Sequence, residues 1–218
     1  MTRVKICGLR SVEDALGAAE SGADFLGIVF EPQSKRRVPL GDAKRLIQSF
    51  WDCGLRKDTQ WVGVFANQSL VDVNYVLDYC GLDMAQLSGS ESLDYCRQVV
   101  RPVIKVTHVP TDATVYEIIE EMRLSLSMWE SQGNMCMLDT FKQGVLGGTG
   151  QVFNWEVAQM LARDHRFLLA GGLTPDNVSK AIRQVLPWGV DVSSGVETNG
   201  KKDVTKIADF IAEVRTRD

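Results

Sequence analysis

Histidine is scarce in this chain: two among 218 residues, His108 and His165. The five cysteines, Cys7, Cys53, Cys80, Cys96 and Cys136, stand far apart and include no C-x-x-C pair. Their odd number and wide spacing argue against a zinc site or a disulfide framework, and for a reducing cytoplasmic setting. No apolar run approaches the roughly 20 residues that span a bilayer, and the opening Met-Thr-Arg-Val-Lys-Ile-Cys is too charged for a secretory signal. Basic blocks are absent as well. The 24 Lys and Arg are offset by 28 Asp and Glu, which speaks against nucleic acid or an anionic membrane as partner. Neither G-x-G-x-x-G nor the Walker A pattern occurs, so the two familiar nucleotide cradles are excluded. Linkers, repeats and low-complexity tracts are missing too.

What is present is an ordinary globular composition, 44% hydrophobic and 24% charged, long enough to bury a core without staples. Short β-branched runs alternate with longer stretches of helical periodicity. The runs are Val4–Cys7, Phe25–Phe30, Trp61–Phe65, Met84–Leu87, Val103–Val106, Met135–Asp139, Phe167–Ala170 and Val190–Ser193. Their spacing, roughly 27 residues, suits repeated βα units. Ser11 and Ser69 each begin an S-x-x-D capping pattern, Ser90, Asp112 and Asn154 are further N-cap candidates, and Thr174-Pro175 puts proline at a first helical position. Val115, Ile118, Ile119, Met122, Leu126 and Trp129 lie on one face of a helix over 112–131. Gly22, Gly81 and Gly133 fall where left-handed C-caps are wanted. Eight such units predict an α/β fold, a single (β/α)8 TIM barrel over 1–218.

A barrel of this type carries its chemistry at the C-terminal ends of its strands. Those ends place one thiol, Cys7, and one carboxylate, Asp139, at the mouth. Three glycine-rich turns follow the last three strands: Gly147-Gly148-Thr149-Gly150, Gly171-Gly172 and Ser193-Ser194-Gly195. Glycine lets backbone N–H groups approach an anion, so these turns predict a phosphate site. Strand alternation puts Lys5 and Cys7 together on the inner face of the first strand if Cys7 points inward, and Asp191 and Ser193 together on the inner face of the eighth. Closure makes those strands neighbours, so Lys5 and Asp191 are expected to pair below the mouth.

Taken singly, these residues have plainer readings. Cys7 could be a small buried hydrophobe, Asp139 a turn cap, and Asp191 a structural ion-pair partner. Lys35-Arg36-Arg37 could be a solvated loop. Cys53, Cys80, Cys96 and Cys136 are assigned to helix or core packing, and His108 and His165 to loops.

In order along the chain, Lys5-Ile6-Cys7-Gly8-Leu9, Phe30-x-x-x-Ser34-x-Arg36, Gly63-Val64-Phe65, Gln86-Leu87, Leu138-Asp139, Gly147-Gly148-Thr149-Gly150 with Phe153-x-Trp155, Leu169-Ala170-Gly171-Gly172-Leu173-x-Pro175-x-Asn177-Val178 and Val190-Asp191-x-Ser193-Ser194-Gly195-Val196-Glu197 form a set. Through it the chain resembles the phosphoribosylanthranilate isomerases of tryptophan biosynthesis, from residue 3 to about residue 211. The resemblance implies a cofactor-free Amadori rearrangement of N-(5-phosphoribosyl)anthranilate to 1-(2-carboxyphenylamino)-1-deoxyribulose 5-phosphate. It implies Cys7 as base, Asp139 as acid and Arg36 as partner of the anthranilate carboxylate. Substrate contacts are expected from Gly148, Gly171, Gly172, Asp191, Ser193, Ser194 and Gly195. The expected partner is that phosphorylated small molecule, with no metal, nucleic acid or membrane, and a monomer or homodimer as the assembly. A free thiol titrates near ~8.5 and needs nearby positive charge to ionise. An aspartate raised from about 3.9 toward 7 costs on the order of 4 kcal/mol, so desolvation must contribute.

Three positions depart from the family's habit. Ser88 stands where histidine is common after Gln-Leu, Asn154 where aspartate precedes Trp155, and Lys35 where proline is common. Two other readings remain: a broader aminoaldose phosphate isomerase that also serves histidine biosynthesis, and a non-catalytic anion-binding barrel.

Overall fold

The computed structural model describes residues 1–54, 59–109, 114–139 and 155–216. Eight parallel strands close in chain order into a barrel: β1 (Arg3–Cys7), β2 (Phe25–Val29), β3 (Gln60–Phe65), β4 (Met84–Leu87), β5 (Val103–His108), β6 (Met135–Asp139), β7 (Phe167–Leu169) and β8 (Gly189–Val192). Closure is made by β8 on β1, with Lys5 opposite Asp191. Around the barrel run α1 (Val12–Ser21), α2 (Leu40–Asp52), α3 (Leu70–Cys80), α4 (Leu93–Arg97), α5 (Val115–Glu130), α6 (Trp155–Leu161), α7 (Pro175–Val185) and α8 (Val204–Arg215). A 3-10 turn (Ser194–Val196) and a hairpin of β9 (Glu197–Thr198) and β10 (Lys201–Lys202) lie between β8 and α8. Among the described residues no helix is long and apolar enough to cross a membrane.

Period-two alternation divides the core into two layers. Phe25, Val62, Met84, Ile104, Val106, Met137, Leu168 and Ala170 fill the barrel interior. Their strand neighbours, such as Leu26, Trp61, Ala85, Cys136 and Leu169, pack outward against the helices. An eight-stranded barrel is just wide enough for side chains to fill it, so side chains occupy the interior below the mouth and the C-terminal rim is where such barrels carry their sites.

The local signals act as expected at most helix ends. Ser11 and Ser69 accept from the backbone N–H groups of Asp14 and Asp72, and Gly22 and Gly81 close α1 and α3 with φ of 104° and 68°. Gly133 is left-handed beyond α5. Pro175 opens α7, where the Asn177 side chain reaches back to the Thr174 N–H at 2.9 Å. Ile118, Ile119, Met122, Leu126 and Trp129 form the buried face of α5, while Val115, on its first turn, stays exposed.

Four expectations are corrected. The cap of α4 is Ser92, whose side chain accepts from the Tyr95 N–H. Ser90 instead bonds Asn67 Oδ1 through its N–H (2.8 Å) and hydroxyl (3.1 Å), because the preceding loop turns back onto the one after β3. The helix after β5 begins at Thr114, with a capping box to Glu117, whereas Asp112 lies outside the described residues, as does Asn154. His108 ends β5 rather than sitting in a loop. Cys53 belongs to no core: it is exposed in the turn after α2. Cys80, Cys96 and Cys136 are buried as expected.

Candidate active site

Cys7 closes β1 at the upper rim, 7% exposed, against Val29 and Val64 at the ends of β2 and β3. One layer below, Lys5 Nζ donates to Asp191 Oδ1 at 2.7 Å with the lysine side chain completely buried. The same ammonium lies beside Cys7 and acts on it electrostatically. Gly27 on β2 makes the room for this: a Cβ there would stand 3.0 Å from Cys7 Sγ and 3.2 Å from Lys5 Nζ. Burial works against the charge on Lys5, but Asp191 and Cys7 outweigh it and hold the ammonium above the ordinary lysine range. For Cys7, burial pushes the thiol up; Lys5 and, more weakly, Lys202 pull it down, and the net direction is upward. The thiol therefore sits in a tug between desolvation and Asp191, which raise its pKa, and the Lys5 and Lys202 cations, which lower it.

Beside Cys7 lies a second charged group. Arg36, in the loop after β2, forks onto Glu197 of β9 through Nε (2.7 Å to Oε1) and Nη2 (2.9 Å to Oε2). Its neighbours Lys35 and Arg37 are exposed, so only one of the three basic residues turns inward. Gly8 accounts for the route of that side chain. A Cβ at Gly8 would fall 2.6 Å from Arg36 Cδ, and its φ of 80° suits glycine. Lys202 of β10 donates to Glu197 Oε1 (2.9 Å) and to the Ser193 carbonyl (2.8 Å), and Ser193 Oγ donates to the Cys7 carbonyl (3.1 Å). Burial would raise the Glu197 pKa, but hydrogen bonds from Arg36 and Lys202 prevail and hold it at about 2. Burial lowers the Lys202 pKa against the pull of Glu197.

Around the rest of the rim, Asp139 ends β6 on the face it shares with Met135 and Met137, the inner one. Gln86 and Ser88 follow Met84 on the inner face of β4, with Gln86 Nε2 donating to Ser88 Oγ at 3.2 Å. His108 Nε2 meets the Ser88 carbonyl at 3.0 Å, so an imidazole from the next strand sits beside the position where histidine is common. The turns after β7 and β8 pack tightly on one another: a Cβ at Gly195 would fall 1.8 Å from the Leu173 carbonyl oxygen. Gly171 and Gly172 adopt φ of 93° and 66°, and Asn177 Nδ2 closes their turn on the Gly172 carbonyl at 2.9 Å. Gly172 and Ser194 are exposed on this shelf. Gly148 and the rest of its turn lie outside the described residues.

Residues 4–213 match the family model described as N-(5'phosphoribosyl)anthranilate (PRA) isomerase. The chain belongs to that family. An N-(5'-phosphoribosyl)anthranilate isomerase of Dehalococcoides mccartyi is 42% identical over 218 residues, covering 100% of this chain and 98% of that protein. The phosphoribosyl anthranilate isomerase of Thermotoga maritima superposes with a TM-score of 0.84 at 37% identity, over 99% of this chain and 100% of the other. A further isomerase structure, in complex with reduced 1-(o-carboxyphenylamino)-1-deoxyribulose 5-phosphate, matches with a TM-score of 0.80 at 36% identity, over 99% and 100% of the two chains. The chain is thus an isomerase built on the family's barrel.

Two residues of this isomerase's rim escaped sequence reasoning. Glu197 was visible only as the end of the Ser193-Ser194-Gly195-Val196-Glu197 run, and Lys202 was not singled out at all. Asn199-Gly200 was the available signal, since this dipeptide favours a two-residue hairpin turn with positive φ at both positions. Their φ values are 53° and 73°, and the turn folds Lys202 back onto Glu197.

Proposed function

We propose that this isomerase converts N-(5-phosphoribosyl)anthranilate to 1-(2-carboxyphenylamino)-1-deoxyribulose 5-phosphate, with Cys7 as base and Asp139 as acid. Asp139 gives a proton to the furanose oxygen, and the C1–O bond opens to a Schiff base. Cys7 then takes the proton from C2, giving an enolamine. Collapse of the enolamine to the ketone passes the proton held by Cys7 to C1 and returns the C2 hydroxyl proton to Asp139. The net change is one hydrogen moved from C2 to C1 and one proton moved from the C2 hydroxyl to the opened ring oxygen. Arg36 takes the anthranilate carboxylate, Asp191 a sugar hydroxyl, and the shelf of Gly171, Gly172, Ser193, Ser194 and Gly195, completed by Gly148, the phosphate. The setting is the cytoplasm, where the thiol stays reduced.

The observation that carries this reading is the Cys7 thiol resting on the buried Lys5–Asp191 pair at the C-terminal rim. Lys5 pulls the thiol down against the burial and the Asp191 charge that together hold it above its ordinary value, and a thiolate formed in that desolvated place is the stronger base. Backbone amides and a helix N-terminus at the β7 and β8 turns suit a phosphate.

Turnover by purified Cys7→Ala and Asp139→Ala tests the assignment. Each is expected to lose at least ~10²-fold, the usual contribution of a positioned acid or base, with the circular dichroism spectrum retained. Near-normal turnover in both would reject the mechanism. Arg36→Ala is expected to raise KM more than it lowers kcat, because its contact is remote from both proton transfers.

A further inference from the structure

We propose that Glu197 and Lys202 are positioning residues for the carboxylate site: together they lock the Arg36 fork over Gly8 and leave it a net positive charge for the substrate's carboxylate. The inference rests on the reading of Arg36 given above.

The geometry of the guanidinium is the starting point. Arginine has five N–H groups in one plane. Glu197 takes the side edge, Nε and Nη2, and the end edge, with Nη1 and the second N–H of Nη2, meets no side chain among the described residues. That end edge is itself a fork, spaced to hold a second carboxylate in two parallel bonds. The Arg36 side chain is still 32% exposed, whereas its partner Glu197 is 9% exposed. The side edge is consumed by Glu197, and the exposure that remains in the pair belongs mostly to Arg36.

Charge decides whether that end edge attracts anything. Arg36 with Glu197 alone is a neutral pair, a weak attractor for an anion. Lys202, 1% exposed, shares the same Glu197 oxygen. Two cations against one carboxylate leave one net positive charge, and Arg36 is the most exposed of the three groups. Lys202 is too deep to touch a ligand and so acts through Arg36. Its second bond, to the Ser193 carbonyl, and the Ser193 bond to the Cys7 carbonyl tie the clamp to the strand end that carries the thiol. The carboxylate grip and the reacting carbon are thereby set by one connected frame. Lys206 Nζ holds the Glu197 carbonyl at 3.0 Å and anchors the root of the hairpin.

The test compares two ligands by calorimetry: reduced 1-(2-carboxyphenylamino)-1-deoxyribulose 5-phosphate and its anilino counterpart lacking the carboxylate. Lys202→Met should weaken the first at least about tenfold and the second less than about twofold, since the lost interaction is charge-specific. Lys202→Arg should restore the preference for the carboxylated ligand. Arg36→Met, run in parallel, separates the two claims. If Arg36→Met discriminates between the ligands and Lys202→Met does not, the proposal is overturned while the Arg36 reading stands. If Arg36→Met weakens both ligands equally, the Arg36 reading falls and the proposal with it. Glu197→Gln gives a second measurement should Lys202→Met fail to fold. It raises the local positive charge but frees the fork, so orientation predicts roughly threefold to tenfold weaker binding of the carboxylated ligand. Tighter binding would overturn the positioning role.

Discussion

Among the described residues, the buried lysine–carboxylate pairs Lys105–Glu91 and Lys5–Asp191 are put to different uses. Lys105 and Glu91 meet at 2.9 Å with side chains 4% and 2% exposed. Lys105 lies between Ile104 and Val106, both interior residues, so it points outward beneath the loops. Its remaining bonds go to the Gly89 and Leu87 carbonyls at 2.5 and 3.3 Å, and Glu91 Oε1 accepts the Asn67 N–H at 2.8 Å. The lysine's three donors are all taken by the protein itself. Lys5 and Asp191 meet at 2.7 Å on the inner face. There the lysine bonds Asp191 beside Cys7, and Asp191 retains 11% exposure. A buried pair is expensive to desolvate and is weak evidence for stability alone. The contrast teaches that unspent hydrogen-bonding capacity separates a pair that serves a site from one that staples two loops.

Lys105→Met should have the largest effect, and on stability. It strands Glu91 without its cation, a loss of about 3–5 kcal/mol for breaking such a pair. Denaturant midpoints would measure it, while turnover per folded molecule should be unchanged. A turnover defect matching that of a Lys5 variant would erase the distinction between the pairs. Lys5→Met comes next, with turnover reduced roughly tenfold to 10²-fold through the thiol. Its stability loss should be the smaller one, because Asp191 reaches solvent at the rim.

The pH profile sharpens the same contrast. Cys7 must be deprotonated to act as base, and its pKa lies above the ordinary thiol value because burial outweighs Lys5. Therefore kcat/KM should rise with pH through a limb above that value. Lys5→Met removes the group that pulls the thiol down, so the limb should move further up, whereas Lys105→Met should leave it in place. A limb that moves down in Lys5→Met would contradict the electrostatic account. Gly27→Ala should have the smallest effect, a few-fold fall in turnover. Its methyl would press on Sγ and Nζ at 3.0 and 3.2 Å, tighter than comfortable packing. A variant indistinguishable from the parent would show that the thiol–ammonium spacing has slack.

Acid should release the carboxylates in a predictable order of sign. Glu197, at about 2, and Glu91, also lowered, both titrate below their unfolded values. Their contribution to stability is full above the ordinary carboxylate pKa and is lost as pH falls through the folded one.

Much of the barrel was legible because its rules are local. A β-branched run, a capping serine and a left-handed glycine each act within a few residues, and all eight strands follow. Ser90 and Ser92 show the limit of that logic. Both are serines in a short polar stretch, and the one that caps α4 was decided by Asn67 arriving from another loop to engage Ser90. The Lys5–Asp191 pair could be foreseen because alternation and closure together fix which inward residues become neighbours. The grip on Arg36 could not, since Glu197 and Lys202 are distant from it in sequence and come together only through the hairpin.

Order and chemistry along the chain were sufficient for the family, the eight βα units and the residues that gather at the rim, because hydrophobic period, caps and glycine positions carry that information locally. Tertiary structure alone decided how charged those residues are and what they can still bind. Burial sets the cost of each charge, and packing across 161 residues between Arg36 and Glu197 sets which edge of a guanidinium is left open. Both depend on distances that no stretch of sequence contains.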